Sequence, residues 1–329
     1  MIVIRTHGEY GLTEIDAVAK GCWIDARDLT KADLKRLQHE FKISGELLTD
    51  IMDADEQARI EKEDDYTALI VRLPVYDGSY EVSFFTLPLG IVLFSDKIVT
   101  ICQRSSDALD DLLKNRIRGF NIRNKSAFVL NLLGRAAFTF LKSLKELNKR
   151  TNSIERELQR SIKNNELIQL LSLQKSLVYF TTSIKTNELL LEKLQKSPIF
   201  RFREDERELL EDVLTENKQA IEMANIYSSI LTGTMDAFAS VISNNLNIVM
   251  KRLTIVSIVL MIPTLIYSFY GMNVGLPFQS HSFIGGGILC ISLAASIFGA
   301  ILLTTEWKRK KLNIQGKMKR PVVYSPISL

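Results

Sequence analysis

The chain has 329 residues, of which 46% are hydrophobic and 24% are charged, and its mean hydropathy is near zero at +0.06. These averages are typical of a soluble protein, yet no Asp, Glu, Lys or Arg occurs in the 53 residues from Leu253 to Thr305. A charge-free run of that length excludes a fully soluble globular protein, and the apolar residues elsewhere exclude a disordered chain.

The net charge of +4 is distributed unevenly. Seven basic residues and one acidic residue follow Thr305, so this tail carries +6 and the first 252 residues carry −2. A slightly acidic body with a short basic tail argues against a nucleic-acid partner, because such proteins carry a basic stripe on the folded domain. The cysteines Cys22, Cys102 and Cys290 are too far apart for a disulfide framework or a zinc finger.

Residues 1–125 are predicted to form an α/β domain. Because the apolar run at the N-terminus is too short for a signal peptide, this domain is expected to lie in the cytoplasm. Apolar, β-rich runs separated by turn residues predict three strands, at 68–76, 82–94 and 97–102. Helical patterns cover 33–41, 44–53 and 107–115.

Residues 126–252 predict long cytoplasmic helices, interrupted at Ser197-Pro198. The last helix is expected to begin near Glu204 and to continue unbroken from the cytoplasm into the membrane as a stalk. Apolar residues on it recur at alternating steps of three and four from Ile221 to Val249, which is the spacing of a helix packed along its length.

The charge-free run accommodates two membrane helices, 253–270 and 283–305, joined by an outer loop at 271–282. Basic residues flank both helices, at Lys251-Arg252 and in the tail 306–329. They predict a multi-pass protein of the cell membrane with both termini in the cytoplasm.

The first span carries a stripe of small polar and thioether side chains along one face. Its members, with Asn247 just before them, are Met250, Leu253, Ser257, Met261, Thr264 and Ser268. Such a stripe fits packing between membrane helices, where Ser and Thr hydrogen bond to a neighbour. It fits the lining of a water-filled pore equally well.

The first span ends in Tyr270-Gly271-Met272-Asn273, and at this place the sequence resembles the CorA family of divalent-metal transporters, whose signature is this motif. The resemblance covers the whole architecture, from the α/β domain to the second span. Because Mg²⁺ releases its water reluctantly, a ring of neutral Asn273 amide oxygens can select the hydrated ion. In this arrangement Gly271 lets the backbone turn and Met272 packs the turn.

Two spans cannot enclose a pore, so several copies must assemble, and the resemblance implies a pentamer. It also implies a cytoplasmic-side pore position for Asn247, apolar constrictions at Met250, Leu253 and Met261, and an inner funnel at Gly233 and Asp236. Asp77 and Asp212 resemble the pair that holds regulatory Mg²⁺ between subunits. The chain departs from the family in an outer loop without acidic residues and in Ser268, where glycine is common.

The function expected from these features is a channel-like transporter of Mg²⁺, with Co²⁺ or Ni²⁺ tolerated, that cytoplasmic Mg²⁺ gates. None of the common catalytic motifs occurs, so an enzyme is not expected. Two alternatives stay open. One is a transporter of Zn²⁺ or another transition metal on the same scaffold, and the other is a two-span membrane sensor or tethering protein whose stripe only packs helices.

Overall fold

The computed structural model describes residues 1–8, 11–113, 122–160, 164–197, 200–272 and 284–318. The chain forms two compact units, Met1–Ala237 and Phe238–Leu329. The boundary between them lies within a single helix, whereas the sequence analysis divided the chain at residues 125 and 252.

A mixed sheet forms the centre of the first unit. The strands that the structure describes are β1 (Ile2–Gly8), β2 (Gly11–Ile15), β3 (Cys22–Arg27), β4 (Arg59–Lys62), β5 (Tyr66–Tyr76), β6 (Phe84–Phe94) and β7 (Lys97–Cys102). Their order is β2-β1-β3-β7-β6-β5-β4, with β3 and β7 parallel and the other neighbours antiparallel. The strands predicted at 68–76, 82–94 and 97–102 correspond to β5, β6 and β7, whereas β1 to β4 were not predicted.

Helices cover both faces of the sheet. On one face lie α1 (Lys31–His39), which begins with a capping box between Thr30 and Asp33, and α2 (Gly45–Ile51), which Ser44 caps. On the other face lie α3 (Asp107–Leu113), α4 (Lys125–Arg160), α5 (Asn164–Lys196) and the start of α6 (Glu204–Tyr270). Alternating residues of β5 enter the two cores, Leu69 and Val71 on the α4 side and Ala68 and Ile70 on the α2 side, as a strand buried on both faces requires.

A buried ion-pair network connects strands β1, β3 and β7 of the sheet. Asp25 accepts hydrogen bonds from Arg5 at 2.9 Å, from Arg27 at 2.9 Å and from Thr100 at 3.2 Å. All six residues of β3 are buried, including Asp25 and Arg27. Pairing makes these charges tolerable in the interior, since an unpaired buried charge is costly.

Asn187 of α5 supplies hydrogen bonds to β5 just beyond the stretch of β5 that pairs with β4. The last β4–β5 pair is Arg59 with Ile70, so the backbone of Arg72 has no partner strand on that side. The Asn187 side chain accepts from the Arg72 N–H at 2.9 Å and donates to the Arg72 carbonyl at 2.8 Å. A single buried amide therefore replaces one strand residue.

The second unit contains the rest of α6 and α7 (Ile284–Met318). The predicted start of α6 near Glu204 and its unbroken course to Tyr270 are confirmed. The helix predicted to end at residue 305 instead continues through α7 to Met318, so the first part of the expected tail is helical. The separation of α4 from α5 was not predicted.

Three of the described helices are long and apolar enough to span a membrane: Lys125–Leu158 of α4, α6, and Gly286–Leu303 of α7. The apolar window of α4 is 56% buried within the protein, against 0% for that of α6 and 11% for that of α7. The apolar side of α4 is thus used by the core of the first unit, with Phe128 and Leu132 packed on the sheet. The apolar surface of α6 and α7 has no such cover.

The three cysteines occupy two kinds of environment. Cys22 and Cys102 are buried in the sheet, and Cys290 is exposed on α7. Burial raises the pKa of the Cys102 thiol to about 11.

Candidate functional site

The predicted stripe lies on an exposed face of α6. Met250, Leu253 and Met261 are 59%, 58% and 67% exposed, and Asn247, Ser257, Thr264 and Ser268 are exposed as well. Gly233 and Asp236, the predicted inner funnel, are exposed near the end of the first unit.

The opposite face of α6 is partly buried. Ile255, Val259, Ile262 and Ile266 recur at helical spacing, and at 100° per residue their mean direction is roughly opposite to that of the residues from Met250 to Ser268. Helix α6 therefore has one partly buried side in this unit, and the rest of its surface, Leu260 and Leu265 included, is exposed.

One contact between α6 and α7 lies on the partly buried side of α6, and another involves the exposed Tyr267. The hydroxyl of Ser292 lies 3.3 Å from that of Tyr267, and a Cβ placed on Gly299 would lie 3.0 Å from Cδ1 of Ile262. Ser292 and Ser296 of α7 are buried. Small residues allow membrane helices to approach closely, which suits this contact between α6 and α7 within one chain.

The stripe hydroxyls form hydrogen bonds to their own helix. Ser257 donates to the carbonyl of Leu253 at 3.0 Å, and Thr264 donates to the carbonyl of Leu260 at 3.0 Å. Because each hydroxyl has one hydrogen, and the helix carbonyl takes it, the oxygen lone pairs remain available as acceptors.

Backbone hydrogen bonds close the C-terminal end of α6. The N–H of Gly271 donates to Tyr267 at 2.8 Å, and the N–H of Met272 donates to Phe269 at 3.5 Å. A Cβ at position 271 would lie 3.1 Å from the Tyr267 carbonyl oxygen, so a close approach accounts for this glycine. Asn273, the third residue of the predicted filter, lies outside the described residues, as do Gln279 and His281.

Asp77 follows β5, and its carboxylate has partners that the sequence analysis did not predict. One oxygen accepts from the Ser79 N–H at 2.9 Å and from the Ser79 hydroxyl at 2.6 Å. The other accepts from the Arg104 guanidinium at 2.7 Å. The hydrogen bonds from Ser79 and then the Arg104 contact lower the pKa of Asp77 below its ordinary value. Asp77 is therefore held as a carboxylate.

Asp212 lies on α6 and is exposed. It lines a cavity of about 220 Å³ together with Gly134, Arg135 and Glu216. Burial raises the pKa of Glu216, the Arg135 guanidinium opposes this, and the carboxylate of Asp212 adds to it. Glu216 is a nearby carboxylate that the sequence analysis missed, although a spacing of four on a helix is a signal for it.

The structure does not bring Asp77 and Asp212 into one metal site within a single chain. Among the residues that it describes, no group of three or more His, Cys, Asp or Glu side chains could hold a metal ion. The prediction that the pair meets between two copies stays a prediction. The donors around Asp77 are a carboxylate and a hydroxyl, and oxygen donors of this kind suit Mg²⁺.

The family model, two curated relatives and one solved structure that match this chain all carry the name CorA. Residues 18–309 match the profile of the CorA-like Mg²⁺ transporter proteins. The cobalt/magnesium transport protein CorA of Methanocaldococcus jannaschii is 27% identical over 255 residues, 76% of this chain and 79% of that protein. The protein of the same name from Thermotoga maritima is 23% identical over 288 residues, 82% of this chain and 80% of that one. The complete structure of the M. jannaschii CorA magnesium transporter is 22% identical and matches with a TM-score of 0.76, over 94% of this chain and 98% of that one.

Proposed function

Because this chain belongs to the family of CorA-like Mg²⁺ transporter proteins, we propose that it is a channel-like transporter that moves Mg²⁺ down its electrochemical gradient. Co²⁺ is accepted as a second substrate, since two relatives carry cobalt and magnesium in their names, and Ni²⁺ is tolerated. The observation that carries the proposal is the exposed stripe of α6, which lies opposite the face that packs on α7 and leads to Gly271-Met272-Asn273.

The stripe becomes a pore only in an oligomer. One chain offers two spans, 253–270 and 283–305, and a single open face of α6 cannot enclose an ion path. Copies arranged around an axis with this face inward would line one path with the same residues from each subunit. Five copies is the number that the family resemblance implies, and both termini lie in the cytoplasm.

The side chains of the stripe suit a hydrated divalent ion. The lone pairs of Ser257 and Thr264 can accept hydrogen bonds from the water molecules that Mg²⁺ keeps. Met250, Leu253 and Met261 form apolar constrictions, which close a pore by expelling water. A membrane potential of about 100 mV supplies about 4.6 kcal/mol for a divalent ion, which is sufficient to drive uptake without catalysis.

Asn273 provides the test of the selectivity filter. We expect Asn273→Ala to abolish Mg²⁺ flux into proteoliposomes while the oligomer still assembles, because the ring of amide oxygens at the mouth is lost. Asn244→Ala is the matched control, since Asn244 is exposed on α6 away from the stripe. Near-normal flux in a properly inserted Asn273→Ala protein would contradict the filter.

The same flux assay separates the alternatives. Competition by Zn²⁺, Co²⁺ and Ni²⁺ ranks the ions, and a preference for Zn²⁺ would make the chain a zinc transporter on this scaffold. No flux of any divalent ion through wild-type protein would favour a membrane sensor or tether.

Regulation by cytoplasmic Mg²⁺ is assigned to Asp77 and Asp212, which bridge neighbouring subunits through the ion. Two facing carboxylates repel each other unless a cation lies between them, so the ion stabilises the closed arrangement. An ion with equal affinity for the open and closed states would shift nothing. When bound, Mg²⁺ supplies the positive charge that holds these two side chains together.

The double variant Asp77→Asn, Asp212→Asn is expected to conduct but to lose inhibition by internal Mg²⁺ and Mg²⁺-dependent protection from proteolysis. Asp64→Asn, Asp65→Asn removes the same charge from exposed positions and is the control. If inhibition and protection both match wild type in the first variant, the sensor lies elsewhere.

A further inference from the structure

The carboxylate of Asp77 already has a cation beside it. Arg104 donates from Nη1 to Asp77 at 2.7 Å and from Nη2 to the hydroxyl of Tyr80 at 2.6 Å. Its guanidinium carbon lies 5.2 Å from the centre of the Tyr80 ring. Arg104 is thus held by two neighbours, Asp77 and Tyr80.

Little of the Asp77 carboxylate is left for a metal ion. A carboxylate offers about four lone-pair sites. Ser79 uses one oxygen twice and Arg104 uses the other once, so about one site remains. A guanidinium at hydrogen-bond distance also repels an incoming divalent cation.

We propose that Arg104 competes with Mg²⁺ for Asp77 and so raises the Mg²⁺ concentration at which the regulatory site fills. This inference rests on the regulatory role proposed above for Asp77. When Mg²⁺ binds, Arg104 leaves the carboxylate and stays against Tyr80, from which it can return as Mg²⁺ falls. The site therefore exchanges one cation for another and never holds a bare carboxylate.

The size of the effect follows from the exposure of the pair. The side chains of Arg104 and Asp77 are 41% and 28% exposed, so solvent screens their attraction. An exposed pair of this kind changes an equilibrium by about two- to fivefold. Removing the guanidinium is expected to lower the Mg²⁺ midpoint of the site by about that factor.

The experiment measures protection of the full-length protein in detergent against chymotrypsin during a titration with Mg²⁺ alone. Chymotrypsin is chosen because trypsin would cleave at Arg104 itself. Arg104→Gln is expected to shift the midpoint about two- to fivefold lower, and Arg104→Lys, which keeps the charge, to stay near wild type. Arg36→Gln is the control, because Arg36 of α1 forms a comparably exposed ion pair with Glu40, the residue that follows this helix.

Asp77→Asn, measured alongside, separates the two levels of the hypothesis. Suppose that Asp77→Asn raises the Mg²⁺ midpoint of protection or removes the protection, while Arg104→Gln leaves the midpoint unchanged. The competition by Arg104 is then refuted, and the regulatory role of Asp77 is supported. Equal downward shifts in Arg104→Gln and Arg104→Lys would also refute it, because the lost charge would not be the cause. If Asp77→Asn has no effect, the regulatory site and the competition fall together.

Discussion

Replacing Asn187 with alanine is expected to destabilise the first unit severely, although Asn187 belongs to no predicted site. Its side chain is 2% exposed and satisfies both backbone groups of Arg72. Alanine leaves a buried N–H and a buried carbonyl without partners, at a cost of about 1–3 kcal/mol each, or about 2–6 kcal/mol together.

That loss translates into a large change in melting temperature. For a unit of this size, 1 kcal/mol corresponds to about 2–4 °C, so Tm should fall by about 4–24 °C. Unfolding can be followed by the fluorescence of Trp23, which is fully buried in this unit, in a background where Trp307, the second of the two tryptophans, is replaced by tyrosine.

Asn131→Ala is the matched control. Asn131 donates to the carbonyl of Ala127 on its own helix, four residues back, and is only partly buried. Its replacement should change stability by less than about 1 kcal/mol. A fall in Tm of less than 2 °C for Asn187→Ala would refute the reasoning, because the backbone of Arg72 would then have found other partners.

Two further predictions concern glycines that lie against another element. In Gly90→Ala the new methyl group would clash with Cδ1 of Ile51, which should lower the free energy of unfolding by about 1–3 kcal/mol. Adding Ile51→Val should recover much of that loss, and full additivity of the two changes would contradict the clash. Gly299→Val should weaken the packing of α7 on Ile262 and lower the melting temperature in detergent, whereas Gly287→Val, which has open space, should not. Equal melting temperatures for these two variants would contradict the packing described for α7.

The sequence predicted those elements whose apolar pattern is uninterrupted. Strand β7 has its expected bounds, and α6 begins where expected and runs through Pro263, because its pattern continues beyond that residue. Strand β3 was missed because Asp25 and Arg27 break its apolar run, and the partners that make them tolerable are supplied by distant residues. Strand β4, at the sheet edge, was missed because three of its four residues are charged.

The candidate site was also predicted only in part from the sequence. Spacing alone placed the stripe on one side of α6, because helical geometry is local. It did not indicate that Gly299 of α7 would lie against Ile262 on the other side. Nor did it indicate Arg104, which is 27 residues from Asp77 and meets it through the fold of β5 to β7.

The placement of the cysteines makes the wild-type chain suitable for thiol labelling without prior removal of its own thiols. Cys22 and Cys102 are each 1% exposed, and Cys102 has little thiolate because burial holds its pKa at about 11. In the proposed membrane arrangement Cys290, on the side of α7 away from Ser292 and Ser296, faces hydrocarbon, where a charged reagent does not reach. Cysteines introduced one by one along α6 would then react with a water-soluble maleimide at Ser257, Met261 and Thr264 and stay silent at Ile255 and Val259. The spacing of the reactive positions would identify the side of α6 that contacts water.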